Sequence, residues 1–373
     1  MARGADAGVA PRPDTPGARG FVHPAEWEPH AATWLAWPHK RSDWPGKFAP
    51  IPWVFAEIVR ALAPGEKVRL IVASPRARAE ALRVLRAAHA DCARVEFFPC
   101  PTDRGWCRDT GPIFLVRRGP RPARLIVRFG FNGWAKYRDF KKDAAIPAVV
   151  AARRGWPMVD AIRGGRRVVL EGGAIDVNGR GSVLATEECL LHRTVQTRNP
   201  GYGRRDMEEV FADWLGARNT IWLGRGIAGD DTHGHVDDFC RFVDPRTVVL
   251  AEEKNPRDGN HRVLERNRER LESARLENGA RLRIVRIPMP APLRFDGQRL
   301  PASYANFYIA DAAVLVPTFN DPRDRTALGI LGELFAGRRV VGIHAVDLVL
   351  GLGTLHCLTH EEPAPPPARR RPR

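Results

Sequence analysis

The feature that most constrains this chain is a recurring order of elements: an amphipathic helix rich in Arg and Ala, then short β-branched strands, then a turn rich in Gly or Asp. Predicted helices begin near Pro75, Lys141, Arg205, Gly259 and Thr326, about 66, 64, 54 and 67 residues apart. Predicted strands follow each helix: 94–100 and 111–119, then 166–177 and 181–186 joined by a tight Asn178-Gly179 hairpin turn. The later ones are 219–224 with 239–244, 281–288 with 312–317, and 338–345 with 355–360. An α/β unit repeated about five times over some 340 residues implies a closed, five-bladed α/β propeller with no domain break. A doubly wound sheet is the alternative. It lacks its fingerprint, because neither Gly164-Gly165 nor Gly351-x-Gly353 opens a helix in the G-x-G-x-x-G manner.

The chain has 373 residues, of which 44% are hydrophobic and 27% charged, enough to bury a large core. Residues 1–20, rich in Pro, Gly and Arg, and the Pro/Arg-rich end 363–373 read as disordered tails around a single domain over 21–362. The N-terminal stretch has no apolar export core, and no run is long enough to span a membrane, so a cytoplasmic protein is expected. Its six cysteines show no C-x-x-C pair, which disfavours a disulfide framework or a zinc ribbon. A net charge of +16 would ordinarily suggest nucleic acid, but the basic residues, nearly all Arg, are spread along the chain apart from the run Arg369, Arg370, Arg371 and Arg373. A broadly solvated surface is expected, with no specific nucleic-acid partner and no membrane.

Four stretches set reactive side chains beside glycine: 103–112, 170–176, 229–238 and 351–360. From the start of the preceding helix, Asp109 lies about 34 residues on, Glu171 about 30, His235 about 30 and Cys357 about 31. In equivalent units of a ring these residues would meet at its centre. Cysteine supplies a nucleophile and histidine a general acid and base. Further carboxylates, Asp109 and Asp237, match the planar fork of a guanidinium. Attack of a cysteine on a guanidinium carbon is the reaction such a set favours.

These residues and their surroundings resemble the agmatine deiminase family, which is similar to bacterial-type peptidylarginine deiminases and belongs to the pentein, or guanidine-modifying, superfamily. The resemblance runs from EWEPHAATWLAWP (26–38) through WCRDTGP, EGG, DDTHGHVD and YANFYIADAAVLVPTFND (304–321) to HCLT at 356–359. It implies a five-bladed pentein propeller and hydrolytic deimination of a small guanidino substrate, with agmatine first, giving N-carbamoylputrescine and ammonia. By position it makes Cys357 the nucleophile, His235 the acid and base, Glu171 the residue orienting His235, and Asp109 and Asp237 the grip on the guanidinium. Trp106, Asn306 and Asp231 fall at substrate-binding positions. It implies no cofactor and no metal, and allows a homodimer. The chain departs from the family after HCLT, where His360, Glu361 and Glu362 replace the usual glutamines, so a shift in substrate preference or pocket polarity is expected.

Blander readings stand beside these. Cys92, Cys100, Cys189 and Cys240 read as core residues, and Cys107 as packing behind the site. His233-Gly-His235 has the spacing of a metal pair but lacks evident further ligands. Asp230, Asp231 and Asp238 read equally as a solvated turn or a pocket wall. The Trp-rich stretch 34–46 reads as packing, with part of it able to close over a substrate. Rival activities are deimination of peptidyl or free arginine, an amidinotransferase, and an Arg-rich nucleic-acid or anion binder on an inactive ring.

Overall fold

The structure is a computed structural model that describes residues 8–366. The first sheet contains β1 (His30–Ala36), β2 (Lys67–Val72) and β3 (Val95–Pro99), with α1 (Ile51–Leu62) and α2 (Pro75–Ala87) as crossovers between parallel neighbours. Four further units share one plan: two antiparallel strands, a crossover helix, and a third strand parallel to the second. They are β4 (Ile113–Arg117), β5 (Ala123–Arg128), α3 (Ile146–Arg154) and β6 (Met158–Asp160); then β7 (Ile175–Val177), β8 (Ser182–Thr186), α4 (Arg204–Leu215) and β9 (Asn219–Leu223). There follow β10 (Cys240–Phe242), β11 (Thr247–Glu252), α5 (Gly259–Ser273) and β12 (Arg283–Pro288); and β13 (Tyr308–Ile309), β14 (Ala313–Thr318), α6 (Arg323–Leu334) and β15 (Arg339–His344).

The last strand, β16 (Thr359–Pro363), returns to the first sheet and pairs antiparallel with β1, setting Thr359 opposite Leu35 and His360 opposite Trp34. It supplies the leading antiparallel strand that β1 otherwise lacks, so the first unit is completed by the far end of the chain. Glu362 secures the join: its carboxylate takes Arg69 Nε at 2.5 Å, Arg124 at 3.0 Å and the Trp34 indole N–H at 3.1 Å.

The mixed α/β class follows the periodicity, but the first repeat differs from the predicted one. Its crossover helix is α1, which the sequence reading missed, and α2 is an addition that carries β3. α1 is covered by α2 on one side and by β14 and β15 on another, so eight of its twelve residues are buried, among them Ile51, Phe55, Ile58, Val59 and Leu62. Its outward stripe is short, Trp53, Glu57 and Arg60, and the first of these is apolar, so the solvated face is only weakly marked in the sequence. α2 instead has a solvated face and a regular start, with Ser74 accepting from the Ala77 N–H ahead of Pro75.

Other boundaries move for local reasons. The helix expected from Lys141 begins at Ile146, with Pro147 in its first turn, after a 3-10 turn over Asp143–Ala145. The strand expected at 355–360 is a helical turn, Leu355–Leu358, followed by β16. The strand expected over 166–177 is broken by a 3-10 turn at Gly172–Ala174. Asn178-Gly179 does open the β7–β8 hairpin, but its connection is longer than a two-residue turn, since Val177 pairs with Val183. Asn178 Oδ1 accepts from Arg180 N and Ser182 N, and Gly179 sits at φ 66°, where a side chain would also strike Ala25.

Both expected tails are shorter than predicted. Residues 8–20 pack on the body: Val9 N donates to Arg218 O at 2.9 Å, Gly17 N to Asp213 O at 2.8 Å, and Arg12 pairs with buried Asp213. At the other end Pro363 belongs to β16 and Ala364 N bonds to Pro29 O at 2.8 Å. These Pro-rich segments are held by backbone bonds that composition does not reveal. The remaining tail residues, 1–7 and 367–373, lie outside the described residues.

Candidate active site

Each unit enters its leading antiparallel strand through a short turn, and these turns carry the reactive residues. Asp109 lies on the helical turn Cys107–Thr110 before β4, and Glu171 caps the 3-10 turn Gly172–Ala174 before β7. His235 caps Val236–Asp238, which contains Asp237, before β10. Asn306 stands just ahead of β13, and Cys357 is on the turn Leu355–Leu358 before β16. The spacing that the sequence shows from the preceding helices thus reflects a place two to five residues ahead of the following strand.

The turns bring the side chains together. Cys357 Sγ is 3.2 Å from Asn306 Nδ2 and 3.8 Å from Asp237 Oδ2. His235 Nδ1 lies 3.8 Å from Asp109 Oδ1 and 3.9 Å from Asp237 Oδ1. Asp109 is fixed by the Gly173 N–H at 2.9 Å and the Trp134 indole N–H at 2.8 Å. Gly173 makes this approach sterically feasible: a Cβ there would stand 2.5 Å from His235 Nδ1, 3.0 Å from Asp109 Oδ1 and 3.1 Å from Asp237 Oδ2. Glu171 accepts from Arg198 Nε at 2.9 Å, with both side chains fully buried. Its Oε2, His235 Nε2 and Asp237 Oδ1 are buried without a hydrogen-bond partner among the described residues. Glu171 and His235 are close but not bonded, and Cys189 is with them: ligand atoms of the three lie within 4.8 Å of one another.

Charge state follows from burial and from these neighbours. Burial alone pushes the Cys357 thiol up, and the charges of Asp237, Asp238 and Asp109 push it further, well above the ordinary thiol value. Burial opposes a charged His235, yet Asp109, Cys189 and Asp237 outweigh it and hold the imidazole well above 6.5. Burial would also raise Asp237, but the hydrogen bond and charge of His356, with His235 and Arg241, bring its carboxyl below the ordinary range. Asp109 and Asp238 are raised, in both cases chiefly by burial. The resting set is therefore a neutral thiol, an imidazolium and an ionised Asp237. A cation entering the set would relieve the carboxylates and ease loss of the thiol proton.

Cys357 and Asp109 open on a cavity of ≈ 420 Å³ that Trp106, Trp134, Tyr137 and Asp231 also line. Trp106 stacks at a tilt on Trp44, 5.6 Å between ring centroids, and donates to Asp43 at 3.1 Å. Asp231 binds Lys136 and, at 2.7 Å, the Tyr137 hydroxyl. The Trp-rich stretch divides: Trp34, Trp37 and Trp44 are core, while Ser42, Asp43 and Pro45 reach the cavity wall. Asn306 touches the thiol and, through Oδ1, accepts from Thr354 Oγ1 at 2.7 Å and His356 N at 3.2 Å, so it braces the turn that carries Cys357. Asp230 binds the backbone of its own loop, at Gly234 N and Thr232 N. Cys107 is buried in an apolar cluster behind Asp109. His233 turns away from His235, its ring 4.8 Å from that of His192.

Residues 360–362 have no direct contact with the pocket through which to alter its polarity. None lines the cavity. His360 Nε2 bonds Pro112 O at 2.8 Å, Glu361 takes Arg108 at 2.7 Å, and Glu362 holds β16 to its neighbours. Sequence reasoning missed Trp134, Arg198, Asp43 and the role of Cys189. Only Trp134 carried a local sign, lying beside Asn132-Gly133 in a tight reversal where Trp134 itself takes φ 56°. The others are recruited across long sequence separations that leave no pattern.

A model of the Porphyromonas-type peptidyl-arginine deiminase family matches residues 22–363. An agmatine deiminase of Stutzerimonas stutzeri is 35% identical, covering 94% of this chain and 98% of its own length. One from Ectopseudomonas mendocina is 34% identical over the same shares. Among solved structures, an agmatine deiminase of Enterococcus faecalis superposes with a TM-score of 0.85 at 26% identity, covering 95% of this chain and 99% of that one. A C. jejuni agmatine deiminase with substrate bound gives 0.80 at 28% identity, covering 93% and 97%.

Proposed function

The chain belongs to the Porphyromonas-type peptidyl-arginine deiminase family, and from that premise we propose that it is an agmatine deiminase, a hydrolase that opens the C–N bond of a linear amidine. The observation that carries the reading is the convergence of Cys357, His235, Asp109 and Asp237 behind a cavity that Cys357 and Asp109 line, with a neutral thiol beside the ionised Asp237. Such a set suits a guanidinium cation.

Asp109 and Asp237 receive the guanidinium nitrogens, and Trp106 and Asp231 line the remainder of the substrate's path. Cation binding offsets the carboxylates, the Cys357 proton passes out to solvent through the cavity and is regained when the thiolate is released, and the thiolate adds to the guanidinium carbon. The His235 imidazolium protonates the departing nitrogen, which leaves as ammonia and gives a covalent amidino-thioether. Neutral His235, oriented by Glu171, then takes a proton from water, and hydroxide adds to the same carbon. Collapse expels the Cys357 thiolate and releases N-carbamoylputrescine, and the surplus proton leaves with ammonia as ammonium. Every step is carried by side chains already in place.

Free arginine fits less well, because its carboxylate needs a cation and Arg104, in the cavity wall, is committed to Asp43 and Asp139. The reading extends to architecture and setting. The five sheets are blades of one pseudo-fivefold ring formed by a single domain that holds 21–362 and the segments packed on either end of it, and the enzyme works in the cytoplasm, as a homodimer if it assembles. Among the described residues no helix is long and apolar enough to cross a membrane.

The test is formation of ammonia and ureido product from agmatine, arginine and a blocked arginyl peptide, with Cys357→Ala as control. Turnover of agmatine alone, lost in the variant, supports the reading. Turnover of the peptide in preference, or of no guanidine, overturns it.

A further inference from the structure

Behind the reactive face, a histidine that no part of the proposed chemistry uses is held between two carboxylates. His356 Nδ1 lies 2.6 Å from Asp237 Oδ2, and His356 Nε2 lies 2.8 Å from Glu26 Oε2. His356 is 2% exposed and Asp237 0%, so no water competes for these contacts. We propose that His356 is the positioning residue of this site, a buried cation that keeps Asp237 ionised beside Cys357 and leaves its other oxygen, Oδ1, on the His235 side and free of hydrogen bonds among the described residues. This inference rests on the guanidine-hydrolase reading above and deepens it.

The argument begins with hydrogen counting. Burial would raise the Asp237 carboxyl, and the bond from His356 is the foremost of the effects that bring it below its ordinary range instead. Burial would likewise raise Glu26, and Arg241, His356 and Arg108 hold it well below. Glu26 already accepts from Arg241, Arg108 and the Ile309 N–H, as a carboxylate does, and two short bonds from one imidazole to two carboxylate oxygens need a hydrogen on each ring nitrogen. The ring is then a fixed cation one bond away from the group that is to meet the substrate.

Its surroundings hold it there from several elements. Glu26, ahead of β1, also takes Arg241 of β10 at 2.9 Å, Arg108 at 2.7 Å and the Ile309 N–H at 2.8 Å. Arg108, from the turn before β4, donates to Glu361 at 2.7 Å and to the His356 carbonyl at 3.3 Å. The His356 N–H is bonded to Asn306 Oδ1. Asp237 Oδ1 faces His235 at 3.9 Å, Oδ2 also lies 3.8 Å from Cys357 Sγ, and the neighbouring Asp238 accepts from Asn306 Nδ2 at 3.1 Å. His356 also adjoins Cys357 in sequence, so one helical turn places both the attacking sulfur and the cation that governs its carboxylate partner.

The experiment measures kcat/KM for agmatine against pH in the wild type, His356→Gln and Glu26→Gln. Removing the cation lets the Asp237 carboxyl rise, so the acidic limb of the His356→Gln profile moves up by a pH unit or more, and the loss is about tenfold greater at pH 6 than at pH 8. Glu26→Gln moves the limb the same way by less. An equal loss at every pH would mean that His356 only supports the fold, and overturns the proposal. The rate of Cys357 alkylation is followed in parallel with a cationic haloacetamidine and with neutral iodoacetamide. The shift is expected for the cationic reagent alone. If agmatine is not turned over but this selective shift appears, the substrate reading fails and the positioning role stands; a shift for neither reagent sinks the role even where agmatine is turned over. Should His356→Gln not fold, ¹⁵N–¹H spectra of histidine-labelled wild type decide: hydrogens on both His356 ring nitrogens at pH 7 support the proposal, and a single one overturns it.

Discussion

The reactive cluster and the join between the first and last strands both bury ionisable side chains, yet they differ in whether hydrogen-bonding capacity is spent. At the join every charge is answered: Glu362 meets Arg69, Arg124 and Trp34, and Arg69 also meets Glu96. At the cavity, buried Glu171 Oε2, His235 Nε2 and Asp237 Oδ1 have no partner among the described residues. A buried polar atom left unmatched costs on the order of 1–3 kcal/mol, so such a cluster is kept only where something else is to complete it. The lesson is one of assignment: charges at the join govern stability, and charges at the cavity govern rate.

The sharpest break of that division is Cys357→Ala. Turnover should fall to about 10⁻⁴ of wild type or below, with the urea midpoint unchanged. A large stability loss would mean that the thiol packs rather than reacts.

Glu362→Ala is the converse. It strands Arg69 and Arg124 at the join, so about 3–5 kcal/mol of unfolding free energy should disappear. The kcat of the remaining folded protein should be unchanged, and a matching fall in kcat would erase the distinction between the two regions.

Gly173→Ala introduces a methyl 2.5 Å from His235 Nδ1 and displaces the imidazole. Misplacement of about 1 Å in such a site costs about 10²-fold in rate. Steady-state kinetics should show that loss in kcat, with agmatine KM changing less.

The smallest effect sharpens the comparison through pH. His30 is buried against Glu66 at 3.2 Å; burial lowers its value, but the Glu66 charge and bond outweigh this and raise it to about 9. The folded form thus holds a proton that the unfolded chain releases near 6.5. The contribution is full below pH 6.5 and is lost as pH rises through about 9, with a slope on the order of 1 kcal/mol per pH unit in that window. Urea unfolding across pH 6.5 to 9 should show this fall, His30→Asn should flatten it, and kcat should not follow it.

Much of this was legible before any coordinates. α2, α4, α5 and α6 announce themselves because each has one solvated face, and the reactive residues stand out because glycine lies beside them. α1 stayed hidden because its outward stripe is only Trp53, Glu57 and Arg60, two polar residues in twelve. The turn at Leu355–Leu358 was taken for a strand because a short apolar stretch carries no decisive period. Asn306 gave a motif but not its task, which depends on Thr354, His356 and Cys357 reaching it from elsewhere in the chain.

The sequence by itself determined the local facts: the α/β repeat, the family, and the glycine-containing stretches that hold Asp109, Glu171, His235, Asp237 and Cys357. Those depend on neighbours within a few residues, which order along a chain can encode. Only the tertiary structure decided which carboxylate oxygen is spent and which is free, that Cys357 rests as a thiol and His235 as a cation, and that His356 lies between Asp237 and Glu26. These depend on desolvation and on distances between charges, and Glu26 and His356 are 330 positions apart.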